Sequence, residues 1–180
     1  QDMKRLAARK PLNSAELRQM ALAYVGRYAT SRAKLAGYLR RKLAERGWDE
    51  AGTPPVEAIV DAMVAQRFVD DRAFADMKGG GLARRGYGTR RVRQALQAAG
   101  IGEEDAADAL RTSDEDKEAV ALAYARRRRL GPFSSDPTNL AKREKALAAM
   151  LRAGHEYITA RRILDLSPEL VQSGMARSGL

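Results

Sequence analysis

The sequence has no cysteine and only one histidine, His155, among its 180 residues. The missing thiols exclude disulfides, thiolate nucleophiles and Cys-ligated zinc, and a single imidazole does not make a multi-histidine metal site. No apolar run approaches the roughly 18 residues that a membrane helix needs, and the polar, basic N-terminal stretch lacks the apolar core of a signal peptide. We therefore expect a cytoplasmic protein without a metal, another cofactor or a membrane association.

Positive charge is the main excess in the composition. The 33 Lys and Arg residues outnumber 23 Asp and Glu residues, which gives a formal net charge of +10. Such a surface favours polyanions such as nucleic acid, or acidic surfaces of partner proteins. The excess is spread along the chain, so the whole body of the protein is the expected binding surface.

Apolar residues recur every three or four positions from residue 14 onwards, and no segment alternates in the manner of a β-strand. The pattern predicts an all-α protein of nine helices. Ser14, Thr53 before Pro54, and Asp70 are predicted helix caps. The triplet from Gly79 to Gly81 predicts an end, kink or hinge, because each glycine costs about 1 kcal/mol inside a helix.

An internal repeat organises these helices into trios. The middle helix of each trio ends in glycine and a packing residue, at Gly47-Trp48, Gly100-Ile101 and Gly154-His155, with spacings of 53 and 54 residues. Glycine is common after any helix, so coincidence is the alternative. We predict repeats at 14–67, 68–113 and 114–166, between a basic N-terminal tail at 1–13 and a C-terminal tail at 167–180. In this frame His155 is a packing residue rather than a catalytic base.

An ordered series of motifs resembles the RecX family. The motifs are Ser31-Arg32-Ala33-Lys34-Leu35 with Arg46-Gly47, then Phe68-Val69-Asp70-Asp71 with Phe74-Ala75, and Arg85-Gly86-Tyr87-Gly88 followed by Arg90-Arg91-Val92. The resemblance covers residues 15–111 well and 114–166 more loosely. Two features depart from the family pattern: the glycine triplet, and His155 at a position where an aromatic residue is more usual.

The resemblance implies three tandem three-helix repeats in a curved, elongated array, and a monomer is compatible with it. It also implies a regulator that binds the RecA filament on single-stranded DNA. Members of the family restrain the ATPase, strand-exchange and co-protease activities of RecA, and they catalyse no reaction themselves.

Three sets of basic residues are candidates for contact with DNA or RecA. The preferred set surrounds Gly86 and Gly88, where the backbone can approach a phosphate: Arg84, Arg85, Tyr87, Arg90, Arg91 and Arg93. Tyr87 could stack on a base; alternatively, the arginines only solvate a helix face and Tyr87 packs internally. The other sets are Lys34, Arg40, Arg41 and Lys42, and Arg126, Arg127, Arg128 and Arg129. The last four are consecutive, so they cannot all share one side of a helix. The alternative is that their positive charges only stabilise the C-terminal end of the helix through its dipole.

Two other classes of function are weaker interpretations. A helix-turn-helix protein would insert a basic helix at 89–99 into duplex DNA, but such motifs need a turn of about three to four residues, and the connection from Arg46 to Thr53 is longer. An enzyme could hold Mg²⁺ on Asp70, Asp71 and Asp76. The role of Asp70 as a cap is simpler, and the chain has no phosphate-binding glycine motif.

Overall fold

The computed structural model describes residues 10–169 and 171. That part of the chain contains nine α-helices, and the predicted all-α class is confirmed. The helices are α1 (Ser14–Arg27), α2 (Arg32–Arg46), α3 (Val56–Ala65), α4 (Asp71–Arg84), α5 (Thr89–Ala98), α6 (Glu103–Glu115), α7 (Lys117–Arg128), α8 (Leu140–Arg152) and α9 (Tyr157–Leu164). Among the described residues the only bridge of the β type joins Leu12 and Trp48. None of these helices has the length and apolar content to cross a membrane.

The described residues form two compact units. Unit 1 holds residues 10–74 and 99–101, and unit 2 holds residues 75–98, 102–169 and 171. The predicted boundary between residues 113 and 114 falls inside α6, which ends at Glu115. The division into three repeats and their curved, elongated arrangement stay predictions.

Unit 1 encloses a core that α1, α2 and α3 share, because their apolar residues recur at helical spacing. Its fully buried side chains include Leu17, Leu35, Leu39 and Met63. Leu12 lies in the predicted N-terminal tail, yet it is fully buried, and its N–H donates to the carbonyl oxygen of Gly47 at 3.0 Å. The fold of unit 1 therefore begins before α1, while residues 1–9 of the predicted tail lie outside the described residues.

Unit 2 has its largest core between α7, α8 and α9. The buried residues there include Ala121, Tyr124, Ala125, Ala146, Met150, Ala160, Ile163 and Leu164. Small side chains dominate this core, so the three helices can approach one another closely. In the N-terminal part of the unit, α5 and α6 pack through a second stripe that includes Val92, Leu96, Ala106 and Ala109.

The glycines that define the internal repeat all have positive φ angles, which glycine adopts without strain. Gly47, Gly100 and Gly154 have φ angles of 84°, 70° and 92°. Two of these helix ends receive similar contacts. In unit 1 the Ser31 hydroxyl donates to the Ala99 carbonyl oxygen at 2.5 Å, and in unit 2 the Gly88 N–H donates to the Ala153 carbonyl oxygen at 3.0 Å. In both cases the carbonyl belongs to the residue just before the repeat glycine.

Two of the predicted caps are wrong. Asn13 rather than Ser14 caps α1: its side-chain oxygen accepts from the Glu16 N–H at 2.9 Å, and its own N–H donates to the Glu16 carboxylate at 3.2 Å. This reciprocal capping box starts the helix one residue earlier than predicted. Thr53 does not cap α3, which begins at Val56. Two consecutive prolines delay the start of α3, since the residue before a proline is driven away from helical geometry.

The glycine triplet does not end α4, so the predicted helix end there is wrong; a kink or hinge stays a prediction. The helix runs from Asp71 through Gly79, Gly80 and Gly81 to Arg84. Its predicted cap is confirmed, because the Asp70 carboxylate accepts from the Ala73 N–H at 2.9 Å. Tertiary packing outweighs the low helix propensity of glycine here, because Ala75, Gly79 and Leu82 are all buried along one side of the helix.

Candidate nucleic-acid interface

The preferred arginine set surrounds the loop between α4 and α5, because Arg84 ends α4, Arg85 lies in the loop, and Arg90, Arg91 and Arg93 lie in α5. The backbone of this loop is tightly held within unit 2. The N–H groups of Arg85 and Tyr87 both donate to the carbonyl oxygen of Leu82 at 3.0 Å. Gly86 between them has a φ of +83°, and a Cβ atom there would lie 3.3 Å from Tyr124. Only glycine meets both requirements without strain, so the sequence Arg-Gly-Tyr-Gly has a local structural reason.

The same loop docks on the C-terminal end of α8. The N–H of Gly88 donates to the Ala153 carbonyl oxygen at 3.0 Å, and that of Arg90 donates to the Gly154 carbonyl oxygen at 3.2 Å. A Cβ atom on Gly88 would overlap the Gly154 carbonyl and would lie 2.7 Å from the His155 nitrogen. Since these are backbone atoms, a side chain at Gly88 cannot be accommodated by a rotamer change.

His155 holds the loop from the other side. Its side chain is 2% exposed, and its Nε2 lies 3.0 Å from the Gly86 carbonyl oxygen. Burial lowers the pKa of His155 because the charged imidazolium would be desolvated, although the hydrogen bond to Gly86 opposes this shift. The neutral ring therefore donates from Nε2 to that carbonyl oxygen. The predicted packing role is confirmed, and the structure adds the contact with Gly86.

The preferred arginine side chains are all exposed: Arg84, Arg85, Arg90, Arg91 and Arg93. Within residues 10–169 and 171 none of them forms an ion pair with a carboxylate, so their charge is available to a ligand. Arg127 from α7 joins this region by donating to the Arg85 carbonyl oxygen. Sequence reasoning missed this contact because the two residues are 42 positions apart, and no local pattern connects them.

Tyr87 lies among these arginines but is only partly exposed. Its ring packs against the core of unit 2, and the guanidinium carbons of Arg85 and Arg91 each lie 5.9 Å from the ring centroid. This position agrees better with the packing alternative than with stacking on a base. We name Arg85, Arg91 and Arg127 with Tyr87 the unit 2 arginine cluster.

The second basic set includes two cations that form ion pairs within unit 1. Arg40 pairs with Glu57, and Lys42 pairs with Glu45 at 2.6 Å. The other two cations lie over aromatic rings of unit 1: the Lys34 Nζ is 5.8 Å from the Phe74 centroid, and the Arg41 guanidinium is 5.9 Å from that of Tyr38. Two of the four charges are thus already partnered.

The third basic set ends α7, and all four side chains are exposed. The helix ends at Arg128, and Arg129 adopts a left-handed conformation with φ of 54°. Because four consecutive residues cannot share one side of a helix, at least one of them is expected to contact neighbouring protein or a ligand. Arg127 does so, through its hydrogen bond to the Arg85 carbonyl oxygen.

Two of the three carboxylates considered for Mg²⁺, those of Asp70 and Asp71, accept hydrogen bonds from backbone N–H groups. Asp70 caps α4, and Asp71 accepts from the Arg32 N–H at 2.8 Å. Among the residues that the structure describes, no group of three carboxylate or imidazole side chains could hold a metal ion.

These features define a basic, all-α helical repeat protein with an exposed arginine cluster. A model of the second three-helix domain of RecX matches residues 70–110. The regulatory protein RecX of Myxococcus xanthus is 34% identical over 84% of this chain and 86% of that protein, and the one of Ralstonia nicotianae is 29% identical over 92% and 95%. The crystal structure of RecX from Lactobacillus salivarius has the same fold, with a TM-score of 0.68 at 18% identity, over 84% of this chain and 96% of that one. The chain therefore belongs to the RecX family of regulatory proteins.

Proposed function

We propose that this protein regulates RecA: it binds the RecA filament on single-stranded DNA and restrains the ATPase, strand-exchange and co-protease activities of RecA. The observation that carries the proposal is membership in the RecX family across most of the chain. The protein catalyses no reaction in this proposal. It acts as a cytoplasmic monomer, and its effect appears as a change in the rate of another enzyme.

The unit 2 arginine cluster supports this function on physical grounds. Guanidinium groups bind phosphate in bidentate geometry, and they keep their charge at any physiological pH. Backbone hydrogen bonds from two sides hold the loop, so little ordering remains to be done when a ligand binds. The cluster therefore provides a preorganised contact for DNA phosphates or for acidic side chains of RecA.

The direct test is the ATPase of a cognate RecA filament assembled on single-stranded DNA. We expect ATP hydrolysis to slow as the purified protein is added at ratios up to about one per RecA protomer. A variant with Gln at Arg85, Arg91 and Arg127 should slow it less than one with Gln at Lys142, Lys145 and Arg152, which removes the same charge elsewhere in unit 2. An unchanged rate with the unmodified protein would contradict the proposal.

A further inference from the structure

Three tyrosines of unit 1 have rings in contact, and we name Tyr24, Tyr28 and Tyr38 the tyrosine cluster. The rings of Tyr24, on α1, and Tyr38, on α2, are stacked with centroids 4.2 Å apart and an interplanar angle of 20°. Tyr28, the residue that follows α1, adjoins Tyr24 with its ring tilted by 50° and the centroids 5.2 Å apart.

Two guanidinium groups lie near rings of the tyrosine cluster. The Arg27 guanidinium carbon is 5.8 Å from the Tyr28 centroid, and that of Arg41 is 5.9 Å from the Tyr38 centroid. Both arginines are exposed, and neither has an ion pair with a carboxylate among the described residues. Two positive charges therefore lie beside the aromatic rings.

Core packing explains only part of the tyrosine cluster. Tyr24 and Tyr38 are partly buried against the core of unit 1, whereas Tyr28 is 51% exposed. It is the first residue after α1, where its N–H still donates to the Tyr24 carbonyl oxygen at 2.9 Å. The backbone of Tyr28 is thus held at the end of α1, and its ring is the exposed member of the cluster.

We propose that Tyr28, the exposed ring of the tyrosine cluster, is a stacking site for an unpaired base, with the exposed Arg27 and Arg41 side chains contacting the flanking phosphates. Aromatic rings bind single strands by stacking on the exposed faces of bases, and adjacent positive charges follow the backbone. Bases in a duplex are already stacked on each other, so the partner is single-stranded. The choice of DNA over RNA rests on the proposed function.

The test compares two fluorescent strands of equal length, oligo-dT and an abasic strand, in binding to the full chain without RecA. Tyr28→Leu should weaken binding of oligo-dT about tenfold and leave the abasic strand unchanged, because only the first strand offers a base. Tyr28→Phe should keep the affinity. Tyr157→Leu is the matched control, since this unit 2 tyrosine is equally exposed, at 50%.

The roles of Arg27 and Arg41 are tested by measuring how the binding of the two fluorescent strands depends on salt concentration. Arg27→Gln and Arg41→Gln together should lower the slope for both strands, by about 0.7 for each phosphate that is no longer neutralised. Arg18→Gln, an exposed position on α1 away from the rings, should leave the slope unchanged. An unaltered slope in the double variant would remove both arginines from the site.

Equal effects of Tyr28→Leu on both strands, or none on oligo-dT, would overturn the stacking site. Tighter binding of oligo-U than of oligo-dT would overturn the choice of DNA. The two proposals fail separately. A protein that slows RecA without any preference for bases contradicts only the stacking site, and a preference for bases without an effect on RecA contradicts only the proposed function.

Discussion

Tyrosine and arginine occur together in both units, but the two surfaces differ in what they leave exposed. In unit 2, Tyr87 packs against the core with two guanidinium groups over its ring, so charge is the exposed feature. In unit 1, Tyr28 is half exposed beside Tyr24, so an aromatic ring is exposed as well as charge. The same pair of residue types thus suits phosphate contact in one unit and base contact in the other. Three changes in unit 2, in decreasing order of expected effect, test the roles assigned to the two units.

The largest effect is expected from Gly88→Ala. The added Cβ overlaps the backbone of Gly154, and neither segment can move without breaking the hydrogen bonds that hold the loop. We expect the free energy of unfolding to fall by about 3 kcal/mol, as measured by denaturation followed by circular dichroism.

Gly81→Ala is the matched control in the same unit. Its Cβ would meet only the end of the Arg84 side chain, at 3.8 Å. This change should raise the free energy of unfolding by about 0.5 to 1 kcal/mol, because alanine favours the helix interior. Equal stability of both variants would show that the loop is not docked on α8 as described. The preference of Gly88→Ala for base-containing strands should persist, since that preference is assigned to unit 1.

An intermediate effect is expected when Arg84, Arg85, Arg90, Arg91 and Arg93 are all replaced by Gln. Binding to single-stranded DNA should weaken, and the slope of log affinity against log salt should flatten by about 0.7 for each phosphate that these arginines neutralise. The preference for oligo-dT over an abasic strand should not change. A slope equal to that of the unmodified protein would exclude this set as a phosphate contact.

The smallest effect is expected from pH through His155. Its pKa is lowered by burial, so the unfolded chain binds a proton more readily than the folded one. Stability is therefore complete above the unfolded pKa of about 6.5, and it declines as pH falls towards the folded value, by no more than about 1.4 kcal/mol per pH unit. His155→Gln replaces the ring N–H donor with an amide N–H donor that does not titrate, so this variant should lose the pH dependence of stability. A variant with the same pH profile as the unmodified protein would show that His155 does not titrate in this window.

The helical class and much of the helix pattern could be predicted because periodicity is a local signal. Leu17, Leu35 and Leu39 lie in the predicted stripes, and Asp70 caps α4 as predicted. The positive φ angles of Gly100 and Gly154 also follow from their positions after helices. These features depend on residues that are close together in the chain.

The failures arise where a distant contact or a neighbouring residue outweighs the local preference. Gly79 to Gly81 stay helical because the side of α4 that carries Gly79 is buried. The reciprocal bond with Glu16 selects Asn13 over Ser14 as a cap. In the candidate site, the arginines around Gly86 were found from sequence, whereas the contacts of Arg127 and the pairing of Tyr24 with Tyr38 depend on tertiary packing.

A density map of this RecX-family chain bound to a cognate RecA filament on single-stranded DNA is the most direct test of the proposed action on RecA. We expect density for unit 2 on the filament, with the loop of Arg85 and Arg91 facing DNA phosphates or acidic side chains of RecA. A filament that stays bare at saturating protein, or one on which this loop faces solvent, would contradict the account.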